Sequence, residues 1–244
     1  MISYLEISDS YLIVKKEAHL PTAPLRPDDE SLLSIVIKDF PDVACVEGKK
    51  NVEKGLIHRI DTETTGLVLV ARNQQTYDFF QNEQKNNRIK KYYTAFCDVK
   101  NIPVNTQNGF PPFLKKIQPG DEIASFFRFY GKERKEVRPV IESDRPAALK
   151  KSTGKRYSTF VESIERVQYD TFPMNKIIYS LTQGFRHQVR VHSAWAGYPI
   201  LGDTLYNKHS ADDKKMAFFA HGLQFMDPVT NKIVFFQFNP EEFF

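Results

Sequence analysis

Between Gly66 and Ala71 the chain reads Gly-Leu-Val-Leu-Val-Ala, six residues without a polar side chain. Successive side chains of a strand point to opposite faces, so a run that is apolar at every position must be covered on both. This predicts a central strand and places the polar turn that feeds it, His58-Arg59-Ile60-Asp61-Thr62-Glu63-Thr64-Thr65, at a sheet end. Asp61 then sits at the edge of the core beside Arg59. An aspartate in such a turn can cap the backbone as readily as it can do chemistry, and spacing alone does not separate the two.

The rest of the chain supplies partners for that strand. Residues 11–17 have strand character, and three prolines in "PTAPLRPDDE" break the chain before a helix at 31–40, with Asp28 or Asp29 as its expected N-cap. Asn73 is placed to cap a helix running to Lys85 with Tyr77 and Phe80 inward. In the strand "RIKKYYTAFCDV", Tyr93, Ala95 and Cys97 share one face, and Tyr92, Thr94 and Phe96 the other. From about 101 to 154 six prolines loosen the pattern, and only "SFFRFYG" reads as strand, so this stretch is treated as an insertion. "RYSTFVESIERV" and "MNKIIYSLT" alternate like paired antiparallel strands. Arg186 to Ala196 suits a short helix ended by Gly197 and Pro199, and "GLQFMDPVTNKIVFFQF" a hairpin. Strands and helices do not alternate regularly, which favours an α+β fold with a central, largely antiparallel mixed sheet over a doubly wound one.

A chain of 244 residues that is 41% hydrophobic and 13% aromatic can build one large core, and a single domain over 1–244 is expected. Cys45 and Cys97 are far apart and lack neighbours at metal-ligand spacing, so they read as reduced thiols of a cytoplasmic protein. No leader and no apolar run of about 18 residues is evident, so neither secretion nor a membrane partner is expected. The net charge of +4 is modest, but basic residues gather at 132–138 and 150–156. No glycine-rich phosphate loop follows a strand, so a nucleotide cofactor is not expected. Neither is a metal: His187 and His192 are five apart, off the common helical face that i, i+4 ligands share, and His58 completes no motif with them. For a retaining glycosidase, Glu63 lies too near Asp61, and Asp203 is a distant alternative.

Four segments, "HRIDTETTG", "KKYYTA", "QGFRHQVRVH" and "YPILGDTLYN", could converge on one cleft. Asp61 is the residue in them able to act as nucleophile or strong base without a metal, and Arg190 is its natural partner, since a guanidinium keeps a carboxylate ionised and oriented. The segments also carry a resemblance. "HRIDTETTGLVLVAR" resembles the H-R-L-D-x-x-T-S-G-L motif of the RluA family of RNA pseudouridine synthases, and "KKYYTAF" its K-x-Y-x-A strand. "GFRHQVRVHSAWAGYPILGDTLYN" and "LQFMDPVTNKIVFFQFNP" are similar to its G-R-T-H-Q-I-R-V-H … G-D-x-x-Y segment and closing hairpin. The looser "DSYLIVKKEAHLPTAP" resembles its opening strand. The motifs occur in the family's order from about residue 10, with 101–154 poorly covered.

The resemblance implies a pseudouridine synthase-like catalytic domain with a cleft across the sheet, isomerising uridine in ribosomal or transfer RNA without cofactor. It implies that Asp61 is the catalytic aspartate, Tyr93 the ring that stacks on the target base, and Arg190 the partner of the aspartate. Arg59, Arg128, Lys132, Arg134 and Arg138 are the candidate phosphate contacts, with His58, Thr65, Arg186, His187 and Gln188 as further candidates for RNA binding. A monomer is expected, with no obligate protein partner and without the small N-terminal RNA-binding domain many relatives carry. The chain departs from the pattern at Glu17 for proline, Thr65 for serine, Phe185 for arginine and Asp227 for histidine. The rival readings are a non-catalytic RNA-binding protein on the same fold and a metal-dependent phosphodiesterase using the histidines.

Overall fold

The computed structural model describes residues 2–26, 29–99, 109–169, 172–208 and 215–243. They form two compact units, residues 1–92 with 219–243 and residues 93–218. The α+β class and the largely antiparallel strand pairing are as expected. Among the described residues no helix is long and apolar enough to cross a membrane.

In the first unit β1 (Ile2–Ile7) pairs antiparallel with β2 (Tyr11–Lys16), and β2 with β3 (Thr65–Ala71). β3 then pairs in parallel with β9 (Phe218–Met226), which also pairs antiparallel with β10 (Ile233–Gln237). β3 is buried at all seven positions, the double coverage its apolar run demands. Its parallel pairing rests on a close approach: a Cβ at Gly66 would stand 2.5 Å from both the Cβ and the carbonyl oxygen of Ala220. α2 (Gln74–Lys85) starts where expected, with Asn73 Oδ1 accepting from the Thr76 amide, and buries Tyr77 and Phe80. Phe80 meets Phe225 edge-on, and both pack against Tyr11. The Tyr11 hydroxyl donates to Asp227 at 2.7 Å, while Asp227 Oδ1 accepts from the Val229 and Thr230 amides. The departure at Asp227 thus caps the β9–β10 turn and ties it to β2.

α1 (Leu32–Asp39) corrects one expectation. Its N-cap is Ser31, which exchanges hydrogen bonds with Ser34 in a capping box, whereas Asp29 accepts from the Arg26 amide in the preceding turn. Asp28 lies outside the described residues.

β4 (Lys90–Asp98) carries the chain into the second unit, where the strand order is β4, β8 (Phe172–Leu181), β7 (Tyr157–Tyr169), β5 (Glu122–Tyr130), β6 (Glu136–Val140). The stretch read as an insertion therefore supplies two sheet strands and the short α3 (Pro146–Lys150); its residues 101–108 lie outside the described residues. β6 escaped the sequence pattern because Pro139 interrupts it. Proline lacks the amide a ladder needs and is tolerated at a sheet edge, where β6 stands, opposite Phe127 of β5. α4 (Gln188–Trp195) is buried along its whole length and starts from His187, held left-handed at φ 57°.

Candidate active site

In the first unit the Asp61 turn is clamped from several sides. The Thr64 amide donates to the Asp61 carbonyl at 3.0 Å, closing the turn. Thr22 Oγ1 donates to the Ile60 carbonyl and accepts from the Ile60 amide, and Thr65 Oγ1 accepts from the Ala18 amide. Beneath it lies Lys16, the last residue of β2, with no solvent exposure at all. Its ammonium donates to the Thr62 carbonyl at 3.0 Å and the Glu17 carbonyl at 2.9 Å. Burial pulls its pKa from the usual 10.5 to about 8, against the opposing pull of the Asp61, Glu63 and Glu17 carboxylates. Asp61 is itself half-buried. The arrangement is a carboxylate on a braced turn with a buried positive charge below it.

Of the other candidates in this unit, His58 is buried, and its Nε2 accepts from the Leu69 amide of β3 at 3.3 Å. That bond puts the ring proton on Nδ1, which is buried. Burial first, then the nearby Lys91, holds its pKa well below the ordinary histidine value, so the ring is neutral. Arg59 is more than half exposed and pairs with Glu53 at 3.1 Å.

In the second unit Arg190 projects from α4 and is buried with Asp203. Arg190 Nε and Nη2 each donate to one Asp203 oxygen at 2.8 Å, a bidentate pair. Asp203 Oδ1 also accepts from the Leu205 and Tyr206 amides, so the carboxylate is pinned to its own loop. The Tyr206 ring lies 5.4 Å from the Arg190 guanidinium, and its hydroxyl accepts from the Val137 amide of β6. Arg186 Nε donates to His187 Nε2 at 3.4 Å, which leaves His187 Nδ1 as the donor to the Tyr206 hydroxyl, 2.8 Å away. Gln188 is fully engaged, accepting from the Phe185 amide and donating to Ser158 and Thr159 of β7.

Asp203 and Tyr206 are the residues that sequence reasoning undervalued. Asp203 is no second carboxylate of a glycosidase but the anchor of Arg190. The signal was available in "ILGDTLY": an acid among apolar residues, on a glycine turn, needs a buried cation. Phe185, which replaces an arginine of the family pattern, stacks on Phe127 of β5 at 5.1 Å and packs on Phe129 and Tyr157. That departure belongs with the aromatic character of β5. Tyr93 is partly exposed and lies parallel to Phe218, with ring centres 5.4 Å apart. Arg128 and Arg138 face each other across β5 and β6, and Lys132 and Arg134 are exposed in the turn between those strands.

A family model described as RNA pseudouridylate synthase matches residues 10–195. The chain belongs to that family. An uncharacterized RNA pseudouridine synthase of Synechocystis sp. is 25% identical over 93% of this chain and 62% of its own length. Ribosomal large subunit pseudouridine synthase D of Neisseria meningitidis serogroup A is 24% identical over 94% of this chain and 55% of its own. The chain thus spans about three-fifths or less of the length of these relatives. Among solved structures, human RNA pseudouridylate synthase domain containing 1 aligns with a TM-score of 0.69, at 21% identity, covering 98% of this chain and 83% of that one. Human RNA pseudouridylate synthase domain containing 4 aligns at 0.62 and 15% identity, covering 97% and 88%. These likenesses establish the pseudouridylate synthase fold.

Proposed function

We propose that the chain is a cofactor-free RNA pseudouridine synthase in which Asp61 is the catalytic residue. The observation that carries this reading is the Asp61 turn, closed on itself and anchored through Thr62 to a wholly buried Lys16 ammonium. Burying a cation costs free energy, and a fold does not need one beneath a surface turn unless the turn must hold a negative charge in place.

The reaction breaks the bond from uracil N1 to C1′, turns the base, joins C5 to C1′, and moves the C5 proton to solvent while N1 gains one. It neither consumes nor produces redox equivalents. An ionised carboxylate can begin it by attack at C1′, by attack at C6, or by removing a sugar proton. The target uridine must leave its stack, at a few kcal/mol. Tyr93 offsets part of this as the stacking partner, since base-aromatic stacking contributes about 1–3 kcal/mol. Arg190, oriented by Asp203, serves as the cationic partner of the catalytic aspartate. Arg59, Arg128, Lys132, Arg134, Arg138 and Arg186 supply phosphate contacts, while His58, Thr65, His187 and Gln188 act on RNA through the turns they brace. The substrate is ribosomal or transfer RNA, and the protein works as a cytoplasmic monomer.

Asp61→Asn tests this reading. It abolishes pseudouridine formation while RNA affinity stays equal or rises, because a negative charge near phosphates is lost along with the chemistry. A variant that isomerises uridine at a rate comparable to wild type would show that Asp61 is structural. Comparing pseudouridine maps of total RNA with and without the gene identifies the substrate.

A further inference from the structure

The β5–β6 strand pair holds an arrangement that makes no sense as a closed structure. Arg128 and Arg138 are direct cross-strand partners on one face, a placement in which like charges repel. Both guanidinium groups crowd the Tyr130 ring, Arg138 at 3.2 Å from its centre and Arg128 at 5.3 Å. Among the described residues Arg138 forms an ion pair only with Glu136, 3.8 Å away, and its Nε is buried with no acceptor. Among the described residues neither Arg128 nor Arg145 has a side-chain hydrogen bond or an ion pair.

Beside this strand pair is a hollow of about 320 Å³ lined by Gly109, Phe110, Pro111, Arg128, Asp144 and Arg145. Arg138 adjoins the lining at Gly109, where a Cβ would lie 2.8 Å from its Nη1. The single carboxylate in the lining, Asp144, already accepts from the Ile141 amide at 2.9 Å. Two guanidinium groups line the hollow against one carboxylate that is already engaged, and a third, Arg138, adjoins it at Gly109. A bound anion balances this excess of positive charge.

We propose that this hollow is a binding site for a backbone phosphate of RNA, held by Arg128 and Arg145. It rests on RNA being the substrate and adds a contact away from the residues assigned to chemistry. The planar forks of arginine match phosphate oxygens in pairs, and the half-exposed Tyr130 beside them suits a single-stranded segment.

The test is a salt titration of binding to a fluorescently labelled single-stranded oligouridylate, comparing wild type with the Arg128→Gln/Arg145→Gln variant. Among the described residues neither arginine has a side-chain hydrogen bond or ion pair to lose, so the variant keeps its fold, and an unchanged melting temperature verifies this. Losing one single-strand phosphate contact lowers the slope of log affinity against log salt by about 0.7. Between about 50 and 200 mM salt the variant then loses about 2.6-fold less affinity than wild type. Arg128→Lys/Arg145→Lys keeps the charge and restores most of the slope. Equal slopes and affinities for wild type and the glutamine variant overturn the site, as does a polyglutamate that binds through these arginines while oligouridylate does not. If wild type forms no pseudouridine in any RNA yet the slope falls as stated, the proposed activity fails and the phosphate site stands.

Discussion

Replacing Lys16 with methionine separates the two contributions of the buried ammonium. Its pKa falls from 10.5 to about 8, and at 1.36 kcal/mol per unit the burial of this charge costs roughly 3 kcal/mol below pH 8. Methionine fills the space without that cost but leaves the Thr62 and Glu17 carbonyls without their donor. Each orphaned carbonyl costs about 1–3 kcal/mol, so gain and loss largely offset, and the variant lies within about 3 kcal/mol of wild type at pH 7 by urea unfolding. Activity does not share this cancellation. Asp61 loses its positive neighbour and the turn its anchor, and a misplacement of about 1 Å costs about 100-fold in rate, the size of drop expected in single-turnover pseudouridine formation on saturating RNA. The pH behaviour is a second signature. The unfolded lysine holds its proton between pH 8 and 10.5 while the folded one releases it, so wild-type stability gains from this group as pH rises through that window. The methionine variant lacks that gain. Activity of wild type falls above about pH 8 as the ammonium discharges. A methionine variant with wild-type turnover would refute the idea that Lys16 positions the aspartate.

Two further substitutions probe the frame. Gly66→Ala drives a methyl group into Ala220 and destabilises the first unit by about 1–3 kcal/mol, read as a lowered unfolding midpoint; an unchanged midpoint would mean the β3–β9 contact is looser than 2.5 Å implies. Asp203→Ala leaves the Arg190 charge buried without its bidentate partner and costs about 3–5 kcal/mol. A loss under about 1 kcal/mol in the same assay would show that water or another group takes the carboxylate's place.

Much of the fold was legible wherever one periodicity held without interruption. β3 announced itself by apolar residues on both faces, α2 by its asparagine cap, β7 and β8 by alternation, and the β9–β10 hairpin by its polar turn. β6 was hidden because Pro139 reads as a breaker unless the strand is known to be an edge. The cap of α1 was misplaced because two aspartates outweighed a serine on propensity, whereas the Ser31–Ser34 exchange depends on geometry. Among the candidate residues, Asp61, Tyr93 and Arg190 stood out as chemically distinctive residues within motifs. Lys16 and Tyr206 did not, because nothing local marks a lysine as buried or a tyrosine as packed on another residue's guanidinium, and Asp203 was marked only as an acid among apolar residues, without its partner. Those properties arise only when β2 meets the turn before β3, or when α4 meets the loop after it.

The first unit is discontinuous in the chain, its last strands arriving after all of residues 93–218. During synthesis Tyr11 and Phe80 are made early, but their core partners Leu223 and Phe225 come last. At about 5–20 residues per second the ribosome needs roughly 6–25 s to make the intervening unit. Through that interval β3 lacks its parallel neighbour and exposes an apolar edge, while the second unit already has the chain it needs to form its own core. The nascent protein therefore completes its folding from the middle outward, and the β3–β9 pairing is the contact of the first unit that waits longest for its partner.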